Sequence, residues 1–206
     1  MTSIILAGGK SSRLGRNKVL EAIGGKSLIQ WVVDHLTTIS TEIIIATAHG
    51  ETIPCFSAVR IKMVADLYPG KGPLVGIYSG LIASSSPRAI LVGCDMPFLS
   101  VGLLDYMSQI SPTFDVVVPR TKEKVEPLCA VYSKNCLASI HNLLERNELR
   151  LSELLNMVKV RFIEEDEINR FDQEHLSFFN VNTQADLDRA RCKQRFISWV
   201  GFKDVD

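Results

Sequence analysis

The sequence predicts one α/β domain of 206 residues that is built on a mostly parallel sheet. The first observation is Thr2 to Ala7, a short apolar run stopped by a glycine pair, which is typical of an interior strand in a parallel sheet. The second is that strand-like and helix-like patterns alternate, an order that favours parallel pairing through right-handed crossovers. The third is that no repeat, low-complexity tract or linker interrupts them. We therefore expect a single domain over 1–206, with halves at about 1–100 and about 101–195.

The further elements follow from their local patterns in chain order. Ser27, followed by Gln30, is a capping-box signature for a helix that carries apolar residues at helical spacing. Apolar runs and turn residues then predict strands over 42–48, 61–65, 114–120 and 126–132, and a strand from Ala89 that ends at Asp95. Helical patterns predict helices over 73–83, 101–110, 134–146 and 151–157, and a final helix after Thr183.

The composition is that of a folded chain without a strong overall charge. With 46% hydrophobic and 22% charged residues, the chain falls outside the disordered and collagen-like classes. A chain of this length buries roughly 70% of its unfolded surface, which is enough for a substantial core. The 23 basic and 23 acidic residues cancel, so no net field recruits nucleic acid or an anionic membrane. Any anion-binding site has to be local.

Cysteine usage and the first residues predict a cytoplasmic protein. The five cysteines are scattered, odd in number and without a C-x-x-C pair, which indicates reduced thiols rather than a disulfide framework or a zinc site. The four histidines show no metal-ligand spacing. The apolar start extends over only about six residues before glycine and cations interrupt it, which is too short for a signal peptide or a membrane span.

The residues after the first strand, Gly8 to Lys18, combine three glycines, two hydroxyls and four cations in eleven residues. Glycine lets backbone N–H groups approach a ligand closely, and successive N–H groups form a concave anion site. The cations Lys10, Arg13, Arg16 and Lys18 add charge suited to a polyphosphate. A solvated turn is the simpler alternative. However, open α/β sheets bind ligands beyond the carboxyl ends of their strands, so a nucleoside triphosphate is expected here.

Common phosphate motifs do not account for this loop. A Walker A motif ending at Gly25-Lys26-Ser27 would need glycine where Leu20 stands, and no G-x-G-x-x-G occurs. The stretch from Leu6 to Lys18 reads L-A-G-G-x-S-x-R-x-G-x-x-K. It resembles the nucleotidyltransferases with a Rossmann-like fold, whose N-terminal signature is L-A-[AG]-G-x-x-x-R-[LM]-G-x-x-K. The resemblance implies a three-layer sandwich of the nucleotide-diphospho-sugar transferase type.

A loop rich in proline and glycine follows the strand that ends at Ala65. Pro73 suits the first turn of the next helix, and the residues before it indicate a rigid loop. An ordinary turn would have the same composition, but this loop should reach the same sheet edge as the glycine loop. In the family that the sequence resembles, this segment closes over the nucleotide base. The resemblance therefore assigns contact with the base or the ribose to Asp66.

Asp95 ends a strand of small and aliphatic residues and is followed by Met96 and Pro97. Aspartate is a poor strand residue and is rarely buried without a partner. It could simply cap the next helix. Beside a phosphate loop, Mg²⁺ ligation explains it better, because Mg²⁺ takes one or two carboxylates together with phosphates and waters. The string C-D-M-P-F at 94–98 also resembles this position in the family's molybdenum cofactor guanylyltransferases.

The second half of the chain carries two further signals. Glu126-Pro127-Leu128 opens a predicted strand and by itself indicates only a core strand. The string F-x-N-x-N-T at 178–183 is predicted to end a strand, on which Asn180 and Asn182 share a face and offer donors and acceptors. A helix N-cap at Thr183 would explain Asn182 equally well. The resemblance places the acceptor substrate at Glu126, Pro127, Asn180 and Asn182.

The resemblance implies an enzyme that transfers GMP from Mg-GTP to the terminal phosphate of molybdopterin and releases pyrophosphate. It implies Mg²⁺ as the cofactor, and cofactor-biosynthesis proteins or molybdoenzyme chaperones as partners, with no role for nucleic acid or membrane. The catalytic residues would be Arg13, Lys18 and Asp95, with Asp95 as the metal ligand. The GTP-binding residues would be Leu6, Ala7, Gly8, Gly9, Lys18, Asp66, Gly76 and Asp95.

Two alternatives stay open at this point. One is a cytidylyl or sugar-phosphate nucleotidyltransferase on the same fold. Cytidylyl members usually read L-A-A-G, whereas L-A-G-G at 6–9 matches the guanylyl pattern. The other is a nucleotide-binding subunit without catalytic activity, and the presence of Lys18 and Asp95 disfavours it.

Overall fold

The computed structural model describes residues 1–8, 20–47, 60–68, 70–122 and 124–201, with side chains described up to residue 195. Within these ranges the strands are β1 (Thr2–Leu6), β2 (Ala22–Ile23), β3 (Lys26–Ser27), β4 (Glu42–Thr47), β5 (Ile61–Ala65), β6 (Arg88–Gly93), β7 (Val116–Pro119), β8 (Cys129–Ser133) and β9 (Val160–Ile163). The helices are α1 (Leu28–Thr37), α2 (Pro73–Ala83), α3 (Val101–Ile110), α4 (Cys136–Glu145), α5 (Leu151–Met157), α6 (Glu165–Ile168) and α7 (Gln184–Gly201). None of these described helices is both long and apolar enough to span a bilayer.

Seven strands form one sheet in the order β5-β4-β1-β6-β8-β7-β9. The strands β5, β4, β1 and β6 are parallel, β8 runs antiparallel to β6 and β7, and β9 is parallel to β7. The prediction of a mostly parallel sheet is confirmed. From β1 the chain moves outward through β4 and β5 and then crosses back to β6 on the other side of β1. The strand order therefore reverses between β1 and β6, which is where open α/β sheets bind their ligands.

Two apolar layers cover the two faces of the sheet, and they confirm the expected three-layer sandwich. Neighbouring strand residues point to opposite faces. Ile5 packs with α1 and α3 in one layer, whereas Ile4 packs with α2, α4 and α5 in the other. Because both residues are fully buried, β1 is apolar throughout, as expected of a central strand covered on both sides.

Local sequence signals predicted the starts of two helices correctly. The Ser27 hydroxyl accepts from the backbone N–H of Gln30 at 3.3 Å and caps α1, while the Gln30 amide donates to Asp34 Oδ1 at 2.6 Å. Pro73 occupies the first turn of α2, as predicted. The short strands β2, β3 and β9 were not predicted, since each depends on a pairing partner for which the sequence offers only a weak pattern.

The strand predicted over 126–132 is confirmed only from Cys129 onward, as β8, and the strand predicted to end at 178–183 is wrong. Glu126-Pro127-Leu128 forms a turn before β8, closed by the Cys129 N–H donating to the Glu126 carbonyl at 3.0 Å. Proline lacks the N–H that a ladder position needs, which favours the turn. The segment 178–183 is not a strand either. It follows a 3₁₀ turn, Leu176–Phe178, that is held by two backbone N–H groups donating to the Asp172 carboxylate at 2.9 and 2.8 Å.

Glu42, at the start of β4, is a buried carboxylate that should stabilise the fold in a pH-dependent way. Its Oε1 pairs with Lys62 Nζ at 2.6 Å, and its Oε2 accepts from Thr2 Oγ1 at 2.9 Å and from the Ser85 N–H at 3.0 Å. Burial acts to raise the pKa of Glu42, but these hydrogen bonds outweigh it and lower the pKa from 4.5 to about 2. The ionised form is thus favoured by folding, and its contribution is lost as the pH falls from about 4.5 to about 2.

We expect Glu42→Gln to lower the free energy of unfolding at pH 7 by about 2–3 kcal/mol, because the buried carboxylate loses its ion pair with the partly exposed Lys62 and its charge-assisted hydrogen bonds. Urea unfolding at pH 7 and at pH 3 should show that the gap between the wild type and the variant narrows at the lower pH. Glu174→Gln is the control, since Glu174 pairs with Lys193 on the surface and should contribute within about 0.5 kcal/mol. An equal difference in unfolding free energy between wild type and Glu42→Gln at both pH values would contradict the stabilising role of the ionised Glu42 carboxylate.

Candidate functional site

A pocket opens at the carboxyl ends of β1, β4 and β6, where the strand order reverses. Five of the residues predicted to contact a nucleotide line it, namely Leu6, Gly8, Asp66, Gly76 and Asp95. Ala7 lies beside them but is buried, and its N–H donates to the Ala46 carbonyl at 2.8 Å. Gly9, Arg13 and Lys18 lie outside the described residues.

The hydrogen-bond ladder brings the beginning of the glycine loop to this pocket. In the register of β1, Leu6 pairs with Ala46 on one side and with Gly93 on the other. The Cys94 N–H continues the ladder by donating to the Leu6 carbonyl at 3.1 Å. The chain therefore leaves β1 between the ends of two parallel neighbours, and Gly8 lies at the mouth of the pocket.

Two glycines let α2 lie close to the sheet. A Cβ at Gly76 would stand 2.7 Å from Leu6 Cδ2, and a Cβ at Gly80, one turn later, would stand 2.7 Å from Ile4 Cγ2. Both distances are shorter than real Cβ contacts, so larger residues would push the helix away from β1. The close approach brings Gly72 and Pro73, at the N-terminus of α2, into the pocket wall. A helix N-terminus favours negative charge, which suits a phosphate-bearing ligand.

Asp66 lies on the wall of the pocket just beyond β5. Its backbone N–H donates to the Thr47 carbonyl at 2.9 Å, and the N–H of Leu67 donates to Ser79 Oγ at 3.1 Å. The half-buried carboxylate faces the first turn of α2, with Oδ1 at 3.7 Å from the position of a Cβ on Gly76. Two elements, β4 and α2, therefore fix the backbone on either side of this carboxylate.

Asp95 is half-buried just beyond β6, and its carboxylate folds back over the strand end. A Cβ at Gly93 would stand only 2.5 Å from Asp95 Oδ1, so the absence of a side chain at Gly93 makes room for this conformation. Asp95 is not the cap of α3. That role belongs to Ser100, whose hydroxyl accepts from the Leu103 N–H at 3.3 Å. The capping explanation of Asp95 is thereby excluded, and Asp95 is one of the residues that line the pocket.

The groups around Asp95 fit a magnesium site whose coordination a bound substrate would complete. In the described part of the chain, no group of three His, Cys, Asp or Glu side chains could hold a metal by itself. Mg²⁺ does not require such a group, since it is usually bound by one or two carboxylates together with substrate phosphates and waters. A single carboxylate beside a loop and a helix N-terminus suited to phosphate meets that requirement.

The antiparallel strand β8 brings the predicted acceptor turn next to the same edge. Cys129 at the start of β8 pairs with Val92 near the end of β6, and the Leu128 carbonyl accepts from the Gly93 N–H at 3.1 Å. Leu128 lines the pocket. Glu126 is buried and pairs with Lys124 Nζ at 2.9 Å. Burial raises the pKa of Glu126, although Lys124 acts in the opposite direction.

The two residues predicted to offer amides to the acceptor, Asn180 and Asn182, do not share a strand face. The segment that carries them is attached to Asp95 by a backbone hydrogen bond. Between them, the Val181 N–H donates to the Asp95 carbonyl at 2.9 Å. Asn180 Nδ2 donates to the Phe178 carbonyl at 2.9 Å. The Asn182 N–H donates to Asp186 Oδ2 at 3.1 Å, within the cap that begins α7. The N-cap at Thr183 is therefore formed, as the alternative interpretation expected.

Sequence reasoning missed Gly93, Ser79 and Leu128 at this site. The signal for Gly93 was present, because a glycine two residues before a strand-end aspartate leaves space for the carboxylate. Ser79 could have been noticed as a lone hydroxyl within an apolar helical stretch. Leu128 offered no signal, since it reaches the pocket only through the turn that replaces the predicted strand.

A mostly parallel sheet whose order reverses beside Gly8, a helix N-terminus and two carboxylates is typical of a nucleotide-binding enzyme with a Rossmann-like fold. The family model described as the MobA-like NTP transferase domain matches residues 3–160, and the chain belongs to this family of nucleotidyltransferases.

Individual relatives agree with this family over most of their length. The probable molybdenum cofactor guanylyltransferase of Pelotomaculum thermopropionicum is 35% identical over 190 residues, which cover 92% of this chain and 91% of that protein. The molybdenum cofactor guanylyltransferase of Desulfosudis oleivorans is 35% identical over 192 residues, covering 92% and 94%. The crystal structure of molybdopterin-guanine dinucleotide biosynthesis protein A from Archaeoglobus fulgidus superposes with a TM-score of 0.81 at 24% identity. That match covers 94% of this chain and 100% of that chain, and it shows the same fold.

Proposed function

We propose that this enzyme transfers GMP from Mg-GTP to the terminal phosphate of molybdopterin and releases pyrophosphate. The observation that carries the proposal is the position of Asp66 and Asp95 on the wall of one pocket at the strand-order reversal. The relatives named molybdenum cofactor guanylyltransferase support the choice of guanine and of the acceptor.

The reaction is a displacement at the α-phosphate of GTP. A bond forms between an oxygen of the acceptor phosphate and the α-phosphorus, and the bond from that phosphorus to the departing pyrophosphate breaks. A phosphate acceptor is already anionic near neutral pH, so the mechanism needs no general base. The protein contributes by holding the two phosphates in line and by neutralising their charge.

The residues of this chain divide that work by position. Asp95 would hold Mg²⁺, which when bound neutralises phosphate charge and stabilises the leaving pyrophosphate. The backbone at Gly8 lines the part of the pocket where the phosphates would lie. On the signature resemblance, Gly9, Arg13 and Lys18 hold the triphosphate. Leu128, Asn180 and Asn182 stand toward the acceptor side.

Guanine recognition is assigned to the wall formed by Asp66 and the first turn of α2. The guanine edge carries an N1–H and an exocyclic amine as donors beside the O6 acceptor, whereas adenine reverses much of this pattern. A fixed carboxylate accepts from guanine and leaves polar groups unpaired against adenine. Each buried unpaired polar group costs roughly 1–3 kcal/mol, so two mismatches give discrimination of about 100-fold or more.

Competition among nucleotides tests the proposal. With Mg²⁺, molybdopterin and equimolar GTP, ATP and CTP, we expect the guanine dinucleotide to form at least about 100-fold faster than either other product, measured by product chromatography and pyrophosphate release. Preferential use of CTP would support the cytidylyl alternative instead. Binding of GTP without any turnover would support a subunit without catalytic activity.

A cytoplasmic location and protein partners complete the proposal. None of the four cysteines in the described ranges forms a disulfide, which suits a reducing compartment. Cofactor-biosynthesis proteins or molybdoenzyme chaperones are proposed as partners on the signature resemblance.

A further inference from the structure

Ser79 is a buried hydroxyl in a helix that is otherwise apolar on its inner side. The buried residues of α2, which lies wholly within the described part of the chain, are Leu74, Val75, Gly76, Ile77, Ser79, Gly80 and Leu81. Among them Ser79 alone has a polar side chain, and it is only 1% exposed. Burying a hydroxyl costs free energy unless it is hydrogen-bonded. Its partner therefore indicates what it contributes.

That partner is the loop that carries Asp66. Ser79 Oγ accepts from the backbone N–H of Leu67 at 3.1 Å. The preceding N–H, that of Asp66, donates to the Thr47 carbonyl at 2.9 Å. Two successive amides are thus attached to different elements, one to β4 and one to α2, and these two bonds restrain the backbone of Asp66, which lies between them.

Side-chain packing holds only one side of this part of the loop. The Tyr68 ring lies against Tyr78 of α2, with ring centroids 6.3 Å apart, whereas the Leu67 side chain is 54% exposed. The far end of the loop has a separate attachment, since Lys71 Nζ donates to the Leu144 carbonyl at 3.2 Å in the last turn of α4. The backbone at Asp66 and Leu67 is placed by two hydrogen bonds, one to the Thr47 carbonyl and one to the Ser79 side chain.

We propose that Ser79 is a positioning residue for nucleoside selection, because its hydroxyl fixes the Asp66–Leu67 peptide and thereby the Asp66 carboxylate in the nucleotide pocket. This inference rests on the proposed function. Recognition by hydrogen bonds needs placement to within about 0.5 Å, which a loop freed at one amide does not keep. Ser79 does not contact the nucleotide itself. It acts through Asp66, and its loss should relax selectivity more than it slows the reaction.

Ser79→Ala removes the acceptor, and Ser79→Cys retains a side chain of similar volume with a weak acceptor. The measurements are kcat/KM for GTP, ATP and 2′-deoxy-GTP with Mg²⁺ and molybdopterin. The ratio of GTP to ATP reports contact with the base, and the ratio of GTP to 2′-deoxy-GTP reports contact with the ribose. Both ratios are independent of the fraction of active protein, so a loss of stability alone does not change them. We expect at least one ratio to fall about tenfold in Ser79→Ala and by a smaller factor in Ser79→Cys.

Ser84→Ala is the matched control. Ser84 is a buried serine at the opposite end of α2, and its hydroxyl donates to the Ser86 carbonyl at 3.0 Å, away from the pocket. Both selectivity ratios should stay within about twofold of the wild type in this variant. If Ser84→Ala lowered them as much as Ser79→Ala does, the effect would come from the helix as a whole and the inference would be wrong.

The two proposals fail in different measurements. A wild-type enzyme that does not prefer GTP overturns the proposed function, and the role of Ser79 falls with it. If the wild type prefers GTP and both ratios stay unchanged in a folded Ser79→Ala variant, the role of Ser79 alone is overturned. Amide hydrogen exchange in the wild type gives a test that needs no variant, since the Leu67 N–H should be protected. Rapid exchange at Leu67 would also overturn the inference.

Discussion

Replacing Asp95 with alanine should nearly abolish turnover and leave the fold intact. The half-buried carboxylate lines the pocket, and it is the proposed magnesium ligand. Loss of a central transition-state contact costs on the order of 3 kcal/mol or more, which corresponds to a decrease in kcat of about 100-fold or more. The fold should tolerate the change because Ser100 caps α3, and because the hydrogen bond from Val181 reaches the backbone carbonyl of Asp95, which alanine retains.

Steady-state kinetics together with urea unfolding separate these two effects. The control is Asp105→Ala, which removes an exposed carboxylate from α3 whose only described partner is Gln109. It should leave kcat within about twofold of the wild type. In Asp95→Ala, the dependence of GTP affinity on Mg²⁺ should also disappear. A folded Asp95→Ala enzyme with a near wild-type rate would remove the metal assignment.

Gly93→Ala should impair the reaction although it replaces no charged residue. The added Cβ would stand 2.5 Å from Asp95 Oδ1 and 3.5 Å from Met96 Sδ, so the Asp95 carboxylate has to move. Gly93 is not among the glycines with positive φ, and alanine is therefore compatible with its backbone. Alanine also costs less chain entropy than glycine within a strand. We expect kcat/KM for GTP to fall by about 10- to 100-fold while the free energy of unfolding changes by less than about 1 kcal/mol.

The matched control for this prediction is Gly102→Ala in α3. There the nearest atom to the added Cβ is Phe171 Cδ1 at 3.3 Å, and alanine has a higher helix propensity than glycine. Its activity should equal that of the wild type. The measurement that decides is the Mg²⁺ concentration needed for half-maximal rate, which should rise in Gly93→Ala and not in Gly102→Ala. Unchanged Mg²⁺ dependence in both variants would show that the Asp95 carboxylate can move away from the added Cβ without losing its role, and would contradict the prediction.

Elements with their own local signals could be predicted from the sequence. The bounds 73–83, 101–110 and 151–157 match α2, α3 and α5, since a proline, a serine cap and turn residues mark their ends. The segment at 126–128 was predicted as the start of a strand although Pro127 favours a turn. The segment at 178–183 could not be predicted, because distant partners decide its conformation. Asp172 and Asp95 hold the second segment through hydrogen bonds that no periodicity encodes.

The site divides in the same way. The meeting of Asp66 and Asp95 follows from topology alone, because parallel strands end at one edge of the sheet. The hydrogen bond between Leu67 and Ser79 does not follow from topology, since it depends on the position of α2 against the sheet. The close contacts at Gly76 and Gly80 set that position, and they exist only in the packed structure. Pattern reasoning thus finds which strand ends converge and misses the groups that hold them in place.

The reversed direction of β8 has a consequence for how such an enzyme can acquire new substrates. A parallel strand presents its end at the ligand edge, whereas β8 presents its beginning there, and the connection from β7 therefore delivers Glu126-Pro127-Leu128 to that edge. This connection can lengthen or change its residues during evolution without altering the register of β5, β4, β1 and β6. Acceptor preference can therefore diverge between descendants of one ancestor while the nucleotide chemistry is inherited unchanged.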